Sequence, residues 1–313
     1  MSAEANPYLK AMQPWPGLEP YTRRVTLPDS LTLHLYDSAP EGGENLPATL
    51  LVHGLGDDAD TWRHLFEPLA RDRRVVALDL PGFARSDPMP GAYRLPFYRD
   101  VLLSLLDTLA IPRATLIGHS LGAMLCQYLA FERPERVKRL ILLGGSVIAR
   151  HQQINRELLL YLVPVIGDWQ YNRLRKDPQK AYETLRPYYA DLDALPEAER
   201  AFMFERVNQR VWSDTQRVAF LYTLRSFSRW VSSQRRHLEE TLAASTTPTL
   251  MVWGDRDAIN SLDNGRLAAQ IRPDTRLVVV REAGHNLHHE QPQALLQALW
   301  DFEGSEVSHA SAP

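Results

Sequence analysis

The chain has one cysteine, Cys126, in 313 residues, which excludes an intrachain disulfide and any cluster of thiolate metal ligands. Cys126 falls in the apolar helix-like stretch Leu121 to Ala130 and reads as a small core residue. An excess of either charge is also lacking. The 35 Lys and Arg stand against 38 Asp and Glu, for a formal net charge of −3. No global basic field exists to draw nucleic acid or an anionic membrane surface as principal partner, although a sum says nothing about local patches. Long apolar runs are absent too. The longest, Leu158 to Ile166, contains Pro164 and falls far short of the ~20 residues a membrane-spanning helix needs. The N-terminus shows no basic start followed by an apolar stretch, so no secretory signal is expected and the cytoplasm is the expected location. No dinucleotide fingerprint or phosphate loop is present, and no cofactor is expected.

What is present suffices for a large core: 44% of residues are hydrophobic and 23% charged. Residues 1–20 hold Pro7, Pro14, Pro16 and Pro20, which predicts an irregular N-terminal arm, lying on the surface or partly disordered, without chemistry of its own. Between Tyr21 and Ala39 two alternating runs flank Pro28-Asp29-Ser30, the pattern of an antiparallel hairpin. Here His34 reads as a strand-face residue. Apolar, β-branched runs then follow at 48–54, 73–80, 113–120 and 137–145, with helical spacing between them over Thr61 to Ala70, Leu95 to Leu109 and Leu121 to Phe131. Their near-continuous apolarity predicts strands buried on both faces, and the alternation predicts a mostly parallel twisted sheet flanked by helices. The alternation stops at 146 and resumes at 248–255, with a helix near Ser261 to Ala269, a strand at 275–280 and a last helix from Gln293 to Phe302. We therefore expect an α/β core over 21–145 and 245–303, an inserted helical cap over 146–244, and a flexible tail over 304–313.

The strongest chemical signal is Gly118-His119-Ser120-Leu121-Gly122, a G-x-S-x-G pentapeptide between a strand-like and a helix-like run. In that context the serine sits on a sharp turn with its hydroxyl held out at the sheet edge. The bland reading of Ser120 is a helix N-cap. A serine hydroxyl needs a neutral imidazole to take its proton. His285, in Glu282-Ala283-Gly284-His285 after the last strand, stands where loops converge at the strand ends. His53 and His119 also stand at strand ends, within turn motifs, and are expected to pack or support. His288 and His289 follow closely, but no matching carboxylate or cysteine spacing points to a metal. The acid that orients the histidine should follow a strand. Trp253-Gly254-Asp255-Arg256-Asp257 offers Asp255 and Asp257, and position alone does not choose.

Over roughly 20 to 303 the chain resembles the α/β-hydrolase superfamily, particularly its capped serine-dependent esterases and C–C hydrolases. The resemblance carries W-G-x-x-D onto Trp253 to Asp257 and G-H-x-x-x-x-E-x-P onto Gly284 to Pro292. It implies Asp257 as the acid, and after the preceding strand, where some relatives keep theirs, Gly144-Gly145-Ser146 offers no carboxylate. It further implies an oxyanion hole from the backbone N–H of Leu121 and of a residue in His53-Gly54-Leu55-Gly56, taken as Leu55. Trp62, in the same segment, is expected to start or anchor the helix that follows; Asp57, Asp58 and Asp60 read as a solvated acidic loop. Haloalkane dehalogenases and epoxide hydrolases resemble this fold but place aspartate where this chain has Ser120.

The expected activity is therefore hydrolysis of a small-molecule carboxylic ester through an acyl-enzyme on Ser120. Tyr161, Leu162, Val165, Trp169, Phe202, Phe204, Trp212 and Phe220 are candidates for an apolar acyl pocket, or for the cap's own core. The alternatives are a C–C bond hydrolase of a dienoic diketo acid, which would need polar or cationic recognition of the carboxylate, and a triad-retaining small-molecule receptor.

Overall fold

A computed structural model describes residues 6–39, 46–148, 150 and 156–310, the side chains of 156–158 and 305–310 excepted. Among these, eight strands form one sheet in the order β1-β2-β4-β3-β5-β6-β7-β8. β1 (Thr22–Thr26) and β2 (Thr32–Asp37) make the antiparallel hairpin, and β2 joins β4 antiparallel. β3 (Ala48–Val52), β4 (Arg74–Leu78), β5 (Ala114–His119), β6 (Val137–Leu143), β7 (Thr249–Gly254) and β8 (Arg276–Val280) are parallel.

The apolar runs lack a polar alternation because both faces are covered. Leu50 and Val52 of β3, Leu140 and Leu142 of β6, and Met251 and Trp253 of β7 enter one hydrophobic cluster; Leu51, Ile141, Leu143, Leu250 and Val252 enter the other. The period of two thus survives as a division between two cores. β1 at the edge is mostly exposed and carries Arg23 and Arg24, charges that discourage a further strand from pairing.

The helices are α1 (Phe66–Ala70), α2 (Leu95–Thr108), α3 (Leu121–Glu132), α4 (Arg156–Leu162), α5 (Ile166–Arg173), α6 (Pro178–Glu183), α7 (Glu197–Trp212), α8 (Asp214–Ala244), α9 (Leu262–Ile271), α10 (Leu287–Glu290) and α11 (Pro292–Ala310). α2, α3, α9 and part of α8 cover one face of the sheet, while Phe66, Leu69, Leu295 and Leu299 from α1 and α11 cover the other. α4 to α8 all lie between β6 and β7 in sequence and carry a small core of their own around Tyr182, Leu192 and Met203.

Three expectations are corrected. α11 continues to Ala310, so residues 304–310 extend a helix where a tail was expected; 311–313 lie outside the described residues. The arm is tied down beyond residue 5, since Leu18 is buried and the Trp15 N–H donates to Asp60 Oδ1 at 2.8 Å. Trp62 does not start the helix that follows: it closes a 3₁₀ turn, Ala59–Trp62, and the helix begins at Phe66, although Trp62 is wholly buried in one cluster with Phe66 and Leu69. That turn is fixed because Asp79 accepts the Ala59 N–H and Asp58 accepts that of Asp60.

Candidate active site

β5 ends at His119 and the chain reverses at Ser120 into α3. Ser120 is held at φ 52°, ψ −112°, a conformation that costs a non-glycine residue on the order of 1–3 kcal/mol. The reversal works because side chains are missing around it. A Cβ on Gly118 would stand 2.3 Å from the Gly122 carbonyl oxygen, one on Gly122 would stand 2.0 Å from that of Val52, and one on Gly145 would stand 2.4 Å from that of Ser120. The Ser120 N–H donates to Leu143 O at 2.9 Å, which ties the turn to β6. The Ser120 side chain makes no capping bond to α3, so the N-cap reading is set aside. Leu121 opens the helix, where its N–H has no intrahelical acceptor.

His285 follows β8 on a loop stitched to the insertion. The Gly284 N–H donates to Glu290 Oε2 at 2.7 Å, while Glu290 Oε1 accepts from Ala190 and Asp191, and the Asn286 N–H donates to Tyr188 O. His285 Nδ1 lies 2.8 Å from Asp257 Oδ2. Asp257 Oδ1 accepts the N–H groups of Ile259 and Asn260, each at 2.9 Å. A carboxylate oxygen only accepts, so Nδ1 carries the proton and Nε2 the lone pair. That Nε2 is buried and has no hydrogen-bond partner among the described residues. Asp255 is exposed, and its Oδ1 meets the Ala283 N–H at 3.3 Å. The structure therefore brings Asp257, and not Asp255, to His285. Gly144 makes room: a Cβ there would lie 3.2 Å from both Asp257 Oδ2 and His285 Nδ1.

Four other histidines, His53, His119, His288 and His289, make hydrogen bonds around the site. His53 Nδ1 is 2.7 Å from Gly54 O, and its Nε2 accepts the Leu80 N–H at 2.9 Å, which braces the turn that carries Leu55. His119 Nε2 contacts the His285 carbonyl at 3.1 Å. His288 and His289 both reach Thr61 Oγ1, and His289 Nδ1 meets the Tyr189 hydroxyl at 2.8 Å. Burial is the main cause holding His119, His288 and His289 well below the usual imidazole range, and burial lowers His53 also. All four are neutral at pH 7. Among the described residues no three His, Cys, Asp or Glu are grouped to hold a metal.

The acidic loop departs from expectation. Asp58 and Asp60 are buried, not solvated. Arg206 and Arg210, one turn apart on α7, reach them: Arg206 Nη2 is 2.8 Å from Asp60 Oδ2, and Arg210 Nη2 is 2.7 Å from Asp58 Oδ2 and also binds Asp57. Burial alone would raise the Asp58 carboxyl, but Arg210 and Arg206 override it and hold it below the carboxylate range. Arg63 pairs with Glu199 at 2.6 Å. Sequence reasoning missed these arginines, because spacing on α7 does not reveal a partner some 150 residues earlier.

Ser120, His285, Leu55 and Gly54 share a cavity of about 290 Å³. Its apolar wall comes from Tyr161, Tyr171, Leu174, Val211 and Phe220, and its polar wall from Arg63, Arg206, Arg210, Asp57, Asp58 and Asp60. Of the expected pocket residues, Tyr161, Phe202 and Phe220 line it. Phe204 packs on Tyr182 in the insertion's core, Trp212 lies under Arg175, Leu162 borders a separate groove, and Val165 and Trp169 face solvent. Gln216 Nε2 on α8 donates to Gly56 O at 3.3 Å, so the insertion touches the Leu55 turn directly.

A family model described as the alpha/beta hydrolase fold matches residues 47–292. The chain is 27% identical over 289 residues to an uncharacterised protein of Mycobacterium tuberculosis, covering 87% of this chain and 79% of that one. It is 28% identical over 295 residues to the 2-hydroxy-6-oxononadienedioate/2-hydroxy-6-oxononatrienedioate hydrolase 2 of Pseudomonas putida, covering 87% and 91%. Among solved structures, Cfl2 from Burkholderia cenocepacia superposes with a TM-score of 0.75 at 23% identity, covering 90% of this chain and 95% of that one.

Proposed function

The chain belongs to the α/β-hydrolase family, and from that premise we propose that it hydrolyses uncharged carboxylic esters through an acyl-enzyme on Ser120. The observation that carries the reading is the buried Nε2 of His285, without a hydrogen-bond partner among the described residues, backed by Asp257 and sharing a cavity with Ser120. In this reading Ser120 Oγ attacks the ester carbonyl as Nε2 takes its proton. Asp257 holds Nδ1–H and stabilises the imidazolium. The N–H groups of Leu55 and Leu121 receive the oxyanion. His285 then returns the proton to the departing alcohol, and water, deprotonated by the same Nε2, releases the acid. No cofactor enters.

The choice of ester over diketo acid rests on the polar wall. Arg63, Arg206 and Arg210 are each already paired with carboxylates. An anionic substrate would meet neutralised cations and the additional acid Glu183, whereas an apolar acyl group meets the aromatic wall. The similarity to the Pseudomonas putida hydrolase favours C–C cleavage as the second reading. Relative kcat/KM on p-nitrophenyl esters from acetate to palmitate, run beside a ring-fission diketo acid, separates the two. Ester turnover exceeding diketo-acid turnover is expected; the reverse order transfers the same residues to C–C chemistry.

A further inference from the structure

Among the described residues, eleven large hydrophobic side chains are exposed, and six of them lie within eleven consecutive positions: Leu159, Leu160, Val163, Val165, Ile166 and Trp169. They occupy α4, α5 and the turn between them, and Val165, at the turn, is 78% exposed. A concentration of this kind on one hairpin is more than the scattered apolar residues any surface carries. The hairpin is also rigidly mounted. Arg225 on α8 donates to Tyr161 O and pairs with Asp168, and Arg217 pairs with Asp168 at 2.7 Å. Its apolar outer face is thus a fixed feature of the surface.

From this patch we infer that the hairpin docks on an anionic phospholipid membrane surface. The charge around the patch argues for that occupant. Arg173 lies over the Trp169 ring at 4.7 Å and is exposed, with no ion pair among the described residues, and Arg229 is exposed beside Pro164 in the neighbouring groove. The one hairpin carboxylate among the described side chains, Asp168, is neutralised by two arginines. An apolar centre, an indole at its margin and a cationic rim match the layers of an anionic bilayer interface. Two copies meeting symmetrically through this patch would set the cationic rims against each other. No helix among the described residues is long and apolar enough to cross a membrane, so attachment would be peripheral.

The same hairpin faces inward as well. Tyr161 and Tyr171 line the cavity that holds Ser120. Docking would therefore bring the cavity wall to the lipid surface, and, resting on the ester reading above, would favour substrates that partition into membranes. The docking itself does not depend on catalysis.

The test is flotation of the Ser120→Ala chain with vesicles of phosphatidylcholine alone and of phosphatidylcholine with phosphatidylglycerol, in low salt. The chain is expected to float with the anionic vesicles and to partition at least tenfold less onto the neutral ones. Val165→Glu combined with Trp169→Glu, both solvent-facing and outside the cavity, should reduce anionic-vesicle binding at least tenfold, with an unchanged melting temperature. Equivalent substitutions at exposed Val279 and Trp300 should not. Failure to float, equal binding to both vesicle types, or undiminished binding of the double variant overturns the proposal. So does a lipid-free dimer in sedimentation velocity that the double variant abolishes, because the patch would then belong to a second copy. Hydrolysis of soluble p-nitrophenyl acetate by the otherwise wild-type double variant reports the ester reading separately.

Discussion

Arg206 of α7 and Asp60 of the loop after β3 meet inside the protein with Nη2 2.8 Å from Oδ2, although 146 residues separate them. Both side chains are almost wholly buried, and Arg206 also donates to Gln13 O of the N-terminal arm. One guanidinium therefore joins the insertion, the arm and the loop that begins at the Leu55 turn. Removing one member of a buried pair strands the other charge, at a cost of about 3–5 kcal/mol. Arg206→Ala should lower the melting temperature by on the order of 10 °C, whereas Arg236→Ala, which loses an exposed pair with Glu240, should change it little. Differential scanning fluorimetry of the two variants checks this; equal melting temperatures would contradict it.

Acid should loosen the same network. Burial raises the Asp79 carboxyl, yet Arg85 and His34 outweigh it and leave Asp79 well below the carboxylate range, as Arg210 and Arg206 do for Asp58. A carboxylate whose folded-state value lies below its unfolded value of ~3.9 stabilises fully above that value and loses its contribution as pH falls toward the folded value. Asp60 runs the other way, raised by burial and by Asp58, and offsets part of the effect. With two groups lowered and one raised, thermal stability should drop as pH falls from about 4 toward about 2. A melting temperature constant over that interval would count against the ion network as a source of stability.

The turn at Ser120 should tolerate no side chain at Gly122. A methyl group there would stand 2.0 Å from the Val52 carbonyl oxygen, which is backbone of β3 and cannot step aside. Gly122→Ala is expected to cost at least the ~1–3 kcal/mol of core overpacking and to lose ester turnover with it. Gly304→Ala, where an added Cβ meets nothing within 4 Å among the described residues, is the neutral comparison. A Gly122→Ala protein with wild-type melting temperature and kcat/KM would refute the close approach.

The two aspartates after β7 should part in function. Asp257 touches His285, while Asp255 is exposed and bonds only weakly to the Ala283 N–H. Asn at the orienting position can hold the imidazole in the wrong tautomer, a change that costs ~10⁴ in a serine protease. Asp257→Asn should lose turnover on that scale with little change in melting temperature, and Asp255→Asn should keep most of it. An inactive Asp255→Asn beside an active Asp257→Asn would reverse the assignment.

The sheet was legible because its signal is local. Continuous apolar runs such as 48–54 and 248–255 are what strands between two cores require, and the glycines around Ser120 announce the turn within five residues. The choice between Asp255 and Asp257 was not legible from spacing, since both stand at a strand end and the direction of each carboxylate depends on the loop around Ile259 and Asn260. Asp58 and Asp60 read as solvated because three acids in a loop normally are, and the arginines that bury them come from another element. Val165 and Trp169 read as residues of a pocket or of the cap's own core because apolarity does not say which face of a hairpin turns inward.

The central claim, that Ser120 is the nucleophile, is tested most directly by where a fluorophosphonate probe attaches. Peptide mass spectrometry of the labelled wild-type chain should find the phosphonyl group on Ser120 alone, with labelling and p-nitrophenyl butyrate turnover lost together as the probe reacts. Ser120→Ala should take up no label and should lose turnover by ~10⁴-fold or more while remaining folded. Label on another serine, or an active Ser120→Ala chain, would contradict the account.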